Sequence, residues 1–199
     1  MKQIFARAGG MLLAMSLLCG LVYTFVVTGI GQLVFPYQAN GSVIEVDGKT
    51  YGSELMAQPF SDPAYLWGRP MNLDVSSFTD EEGNPAVYAW ASNKSPASAD
   101  YEATIAQRVE DMRAANPAMG EAAIPVDLVT CSGSGLDPEI TPAGAEYQVA
   151  RIAEARGVSE DEVRAAIAEN TKGKFLGIIG EPTVNVLKVN LTLDGIAEN

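Results

Sequence analysis

From Ala8 to Phe35 the chain carries no charged side chain, and the run ends at Pro36. Twenty-odd apolar residues at about 1.5 Å rise are enough to cross a hydrocarbon core of roughly 30 Å. A cleaved signal peptide has a shorter apolar core and a small-x-small exit, whereas here the exit reads Phe35-Pro36-Tyr37-Gln38. Bulky Leu18 before Cys19 also argues against a lipoprotein signal. The segment is therefore expected to be a retained membrane helix, residues 8–36, in contact with lipid. Lys2 and Arg7 precede it, and the first charges after it are Glu45, Asp47 and Lys49. The positive-inside bias then predicts residues 1–7 in the cytoplasm and residues 37–199 outside, with the chain in the cell membrane. Ser16, Gly20, Thr24 and Thr28 recur every four residues. Such a stripe suits close approach of a partner helix, and it also arises by chance in anchors.

The formal net charge of the 199 residues is −12, so the part beyond the anchor holds about −14. That surface repels phosphate backbones and excludes nucleic acid as a partner class. The chain contains no histidine, which removes Ser-His-Asp and Cys-His catalysis and every His-ligated zinc site. Its two cysteines, Cys19 in the anchor and Cys131 far along, are not expected to pair. The fold must stand on its core, with no metal and no tightly bound cofactor.

Beyond the anchor, Val43–Val46 and Lys49–Tyr51 flank Asp47-Gly48, a dipeptide favoured in two-residue hairpins. Residues 59–98 are rich in Pro, Ser, Asp, Asn and Gly, and Asp80–Gly83 reads as an exposed loop. Ile105, Val109 and Met112 fall on one helical face within 101–115. Residues 125–130 read as a short strand. Thr141 followed by Pro142 starts a helix that buries Ala145, Val149 and Ile152 and ends at Gly157. Ser159 and Glu162 form a capping box for another, with Val163 and Ile167 as its buried face. Leu187–Leu193 alternates like a half-buried strand. The order predicts one small α+β domain, of mixed α/β content and outside the cytoplasm, behind a single transmembrane helix.

Ser132-Gly133-Ser134-Gly135-Leu136-Asp137-Pro138 lets backbone N–H groups approach a ligand. It is neither a Walker loop nor a nucleophile elbow, and a tight structural turn fits it equally. Arg69, between Gly68 and Pro70, suits a carboxylate or phosphate partner or an internal ion pair. Tyr65, Trp67 and Trp90 suit a contact surface or a cover for the core. Residue by residue, this is a membrane-anchored external domain, and a partner subunit fits better than a self-sufficient enzyme or ligand-binding module.

Several segments in order then resemble one family: Ala39–Ser42, Gly52–Leu55 with Gln58 and Phe60, Tyr65 with Gly68-Arg69-Pro70, Val126–Pro138, Tyr147–Val149 with Arg151, and Gly180–Pro182 with Val184–Leu187 and Asn190. They are similar to the C subunit of the bacterial Kdp potassium-transporting P-type ATPase. The resemblance implies an accessory subunit of an ATP-driven potassium uptake complex. Its partners there are a potassium-channel-like subunit and an ATP-hydrolysing subunit, whose ATP affinity it raises. ATP binding is a family attribute, although ATP lies on the cytoplasmic side and the domain is expected outside. The resemblance associates Gln58, Arg69, Pro70, Ser92, Asn93, Ser132, Gly133, Ser134, Gly135, Asp137, Gln148 and Arg151 with a partner or nucleotide. Three departures stand out. Glu139 replaces a family His, Met71 replaces a Ser, and Ala91–Pro96 is a reduced version of a glycine-rich loop.

Overall fold

The computed structural model describes residues 1–74, 79, 83–84 and 87–196. The chain divides into two units, Met1–Val43 and Ile44–Asn199. In the first, one helix runs from Lys2 to Val34 with a mean hydropathy of 2.2 in its most apolar window and none of that window buried. It is long and apolar enough to span a membrane. Ser16–Val22 is wound as a π-helix, and the Thr24 hydroxyl donates to Cys19 O across that wider turn at 3.4 Å. Phe35 breaks the helix, and Pro36–Ala39 adds a single turn. Proline at its first position loses no helical bond there.

In the second unit, β1 (Val43–Val46) and β2 (Lys49–Ser53) pair across Asp47-Gly48. Both turn residues have positive φ, 52° and 75°, as a type I′ turn requires. Leu73–Asp74 (β3) and Tyr88–Ala89 (β4) make a short antiparallel pair. The third sheet is antiparallel in the order β5 (Glu139–Ile140), β7 (Thr183–Asn185), β6 (Thr171–Lys172). Helices Ala99–Ala115, Pro142–Glu146, Val149–Arg156, Glu160–Glu169 and Val186–Leu193 complete the mixed α/β domain. The main core gathers Leu66, Leu128, Ile140, Ala145, Val149, Ile152, Val163, Val184 and Val189. A smaller one holds Ile44, Leu187 and Leu191.

The caps form as expected. Thr141 Oγ1 accepts from Gly144 N–H, Ser159 and Glu162 close the capping box, and Gly157 ends its helix in the left-handed region. Three elements differ from the sequence reading. The strand predicted over 125–130 is instead a 3-10 turn, Val126–Leu128. The faces are the reverse of what a half-buried strand would give, because Val126 is exposed while Asp127 is buried and accepts from Thr141 N–H at 2.6 Å.

The helix expected to run unbroken to Gly157 is interrupted at Tyr147 and Gln148. Gln148 N–H bonds back to Ala145 O, three residues away. Gly144 O is thereby left for the Gln148 side chain.

The strand predicted over Leu187–Leu193 is a helix, capped by Asn185 Oδ1 on Lys188 N–H. Period two does not separate strand from helix when a helix serves two cores. Val186 and Val189 enter the main one, while Leu187 and Leu191, four apart, enter the smaller one. The Asp80–Gly83 loop falls, apart from Gly83, outside the described residues.

Candidate functional site

The segment Asp62–Pro70 has no helix or strand of its own, yet Leu66 is fully buried. Its backbone polar groups must therefore find partners elsewhere. Two side-chain amides supply them. Asn190 Oδ1 accepts from Leu66 N–H at 2.7 Å and its Nδ2 donates to Leu66 O at 3.0 Å. Gln148 does the same for the next residue, accepting from Trp67 N–H at 2.9 Å and donating to Trp67 O at 3.0 Å. Each amide imitates the two-way pairing of a neighbouring strand. The break in the helix at Gln148 is what aims that side chain at the loop.

Arg151 completes this clamp. Only 7% exposed, it donates to Gln148 Oε1 at 2.6 Å, to Tyr65 O at 3.0 Å and to Asn116 Oδ1 at 3.1 Å. Its guanidinium lies 4.1 Å from the centre of the Trp67 ring, a cation–π arrangement. Burial pulls its pKa down to about 10, opposed by the charge of Asp62. Arg156 holds the start of the same segment. It stacks on Tyr65 at 4.9 Å and pairs with Asp194 at 2.8 Å, while the Tyr65 hydroxyl donates to Asp194 at 3.0 Å. That hydrogen bond, with burial, holds the Tyr65 phenol above its usual range.

A second cluster forms where the far end of the segment meets the Ser132–Pro138 loop. Arg69 pairs with Asp137 Oδ2 at 3.1 Å and donates to Cys131 O at 3.1 Å. Asp137 Oδ1 accepts from Glu139 N–H at 3.1 Å, so this carboxylate also closes its own turn. Arg108 donates to Val129 O at 3.0 Å. Two guanidiniums thus serve carbonyls just beyond the 3-10 turn.

Ser132 Oγ accepts from Gly135 N–H at 3.0 Å and Ser134 Oγ from Leu136 N–H at 3.2 Å, which folds the loop on itself. Gly135 has φ 74°, and a Cβ there would lie 2.5 Å from Trp90 O. Gly133 is exposed, and a Cβ there would meet nothing within 4 Å. Burial pushes the Cys131 thiol up, but hydrogen bonds from the Ser92 side chain and backbone, with Arg108 nearby, leave it below its ordinary value. Asn93 is exposed with φ 51°. Gln58 Nε2 donates to Tyr51 O at 3.0 Å. With Phe60, Arg69, Pro70, Arg108 and Leu128 it lines a recess of about 280 Å³.

Of the candidate residues, Gln148, Arg151 and Asp137 meet the one stretch, Tyr65–Pro70, that holds Arg69 and Pro70, whereas Ser132 and Ser134 close their own loop and Asn93 and Gly133 are exposed. Gln148 and Arg151 hold its first half. Arg69 ties its second half to Asp137 and to the Cys131 carbonyl. Sequence reasoning missed Asn116, Asp127 and Arg156 as organisers, and it placed Asn190 on the wrong side of its element. The available signal was an amide inside an apolar run, Val189-Asn190-Leu191.

These features define a class: a small mixed α/β domain behind one candidate membrane span, with most of its candidate polar residues engaged in holding its own loops. Comparison with known proteins makes the assignment particular. The family model for KdpC, the c chain of the K+-transporting ATPase, matches residues 5–195. A potassium-transporting ATPase KdpC subunit from Clostridium botulinum (strain Alaska E43 / Type E3) is 51% identical over 98% of this chain and 97% of its own length. One from Clostridium perfringens is 55% identical over 92% and 93%, and one from Sorangium cellulosum 49% over 93% and 94%. The chain belongs to the KdpC family. It is an accessory subunit of a membrane potassium-transporting ATPase, and the other Kdp subunits are its partners.

Proposed function

We propose that the chain is a non-catalytic subunit that helps assemble the potassium-uptake complex and raises the ATP affinity of its ATP-hydrolysing subunit. A potassium-channel-like subunit is its other partner. What supports this reading is the internal commitment of its polar side chains. Arg69, Asp137, Gln148 and Arg151 each bond to another part of the same fold. A hydrolytic site needs a nucleophile or general base free to meet substrate. The N-terminus lies in the cytoplasm and residues 37–199 outside the cell membrane, as the Lys2 and Arg7 charges favour. The effect on ATP then travels through the partner subunits as a coupling between distinct sites, with no direct nucleotide contact.

Two measurements test this. ATPase activity against ATP concentration, with the chain present and then stripped from the complex, should show a several-fold higher KM without it. An unchanged KM removes the supporting role. A cysteine replacing Glu121, whose side chain is 94% exposed, should react with a membrane-impermeant thiol reagent in intact cells, in a Cys19→Ser/Cys131→Ser background. Protection until the membrane is breached would reverse the orientation and reopen direct ATP binding.

A further inference from the structure

Between β6 and β7 the chain makes an excursion that buries none of its large apolar side chains. Phe175 is 67% exposed, Leu176 76%, Ile178 80% and Ile179 58%. Together they offer roughly 400–500 Å² of apolar surface, the size of the largest patch on a typical soluble domain, which is often functional.

The excursion is nonetheless closed and shaped. Phe175 N–H donates to Ile179 O at 2.8 Å and Ile179 N–H returns to Phe175 O at 3.0 Å. Gly177 N–H donates to Lys174 O at 3.0 Å, and Lys174 pairs with Glu181 across the base at 3.2 Å. Leu176 and Gly177 both have positive φ, 52° and 77°. Glycine adopts that conformation freely, whereas a leucine there is strained. The turn thus holds a large apolar side chain in solvent at a position a small polar residue would occupy more easily.

We propose that the Phe175–Ile179 knob docks in an apolar recess on the extramembrane surface of another subunit of the same ATPase. The proposal rests on membership of the complex, and is independent of orientation and of any effect on ATP affinity. Two observations favour a protein over the lipid surface. The chain beyond the anchor carries a net charge of about −14, which anionic headgroups repel. The knob also lacks the Trp, Tyr and Arg typical of interfacial anchors, and its nearest lysine is paired with Glu181. A preformed knob enters a recess with little further loss of conformational freedom.

The test uses the full chain expressed with the other pump subunits. A photoreactive benzoylphenylalanine replacing Ile178 should, on illumination, give an adduct with the mass of this chain plus one other subunit. The same probe replacing Glu121 should not. Ile178→Glu should reduce recovery of the complex by about tenfold, the effect expected when a charge is forced into an apolar contact. The melting temperature of the chain alone should not change. An adduct to lipid only, an adduct between two copies of this chain, no adduct, or full recovery of the Ile178→Glu complex would each overturn the proposal. Co-purification of the unsubstituted chain is read first. If no pump subunit accompanies it, complex membership itself fails, and the proposal with it.

Discussion

Asn190→Leu isolates the clamp on the Asp62–Pro70 segment. Leucine has the same side-chain branching and heavy-atom count as asparagine, with a larger volume, and is at home in this apolar helix, so the substitution leaves no large cavity. It removes both partners of Leu66, whose N–H and C=O are bonded to Asn190 at 2.7 and 3.0 Å in a fully buried residue. Each buried polar group left unmade costs about 1–3 kcal/mol. The favourable transfer of a leucine side chain offsets part of that, leaving a net loss of about 1–4 kcal/mol. For a domain of this size about 2–4 °C is lost per kcal/mol, so the melting temperature should fall by roughly 2–16 °C.

Lys188→Met on the same helix is the control, since it removes a partly exposed pair with Glu54 at 3.1 Å and leaves the Leu66 clamp in place. That pair is worth at most about 1 kcal/mol. The assay is thermal unfolding of the full chain in mild detergent, followed by the fluorescence of Trp67 in a Trp90→Phe background. Gln148→Leu in the same chain completes a cycle. The two amides hold consecutive residues, so their losses should be less than additive by about 1 kcal/mol. A melting temperature within about 2 °C of the parent, or equal to that of Lys188→Met, would refute the clamp. Leu66 would then have other partners.

Gly135→Ala places a Cβ 2.5 Å from Trp90 O at a positive φ, and should cost about 1–3 kcal/mol. A melt like that of Gly133→Ala, where nothing lies within 4 Å, would show that the loop relaxes freely. Asp137→Asn should lower the melting temperature by a few degrees, through loss of the charge-assisted bond to Arg69, worth about 1–2 kcal/mol. Activity per assembled complex should hold. Normal melting with lost assembly would instead make Asp137 a partner contact. Alkylation of Cys131 in a Cys19→Ser background should reach half its maximal rate at a lower pH than an ordinary thiol. Ser92→Ala should move that midpoint up, because the side-chain hydrogen bond that favours the thiolate is lost while the backbone one remains; an unmoved midpoint contradicts the assignment. Gly20→Leu meets nothing in its own chain, so reduced recovery of the complex, against Val22→Leu, would report a partner helix and equal recovery a simple tether.

What could be read from the sequence was whatever its energetics confine to one turn. The Asp47-Gly48 hairpin, the Thr141-Pro142 start, the Ser159 capping box and the Gly157 stop each depend on four or five neighbouring residues, and each is present. The candidate residues could be chosen by resemblance, but not their partners, because Arg69 and Asp137 are 68 positions apart and Asn190 and Leu66 are 124 apart. The two misread strands share one cause. Alternation places a polar residue outside on the assumption that water is its partner. Asp127 and Asn190 are inside because their partners are backbone groups of a distant segment, Thr141 N–H for one and the Leu66 peptide for the other. A backbone N–H or C=O is the same in every residue, so no side-chain pattern announces where one will be left over. The need arises only once Asp62–Pro70 is laid across the core without a strand beside it. At that point an amide inside an apolar run stops being an exception to the pattern and becomes the group that makes burial of the loop affordable.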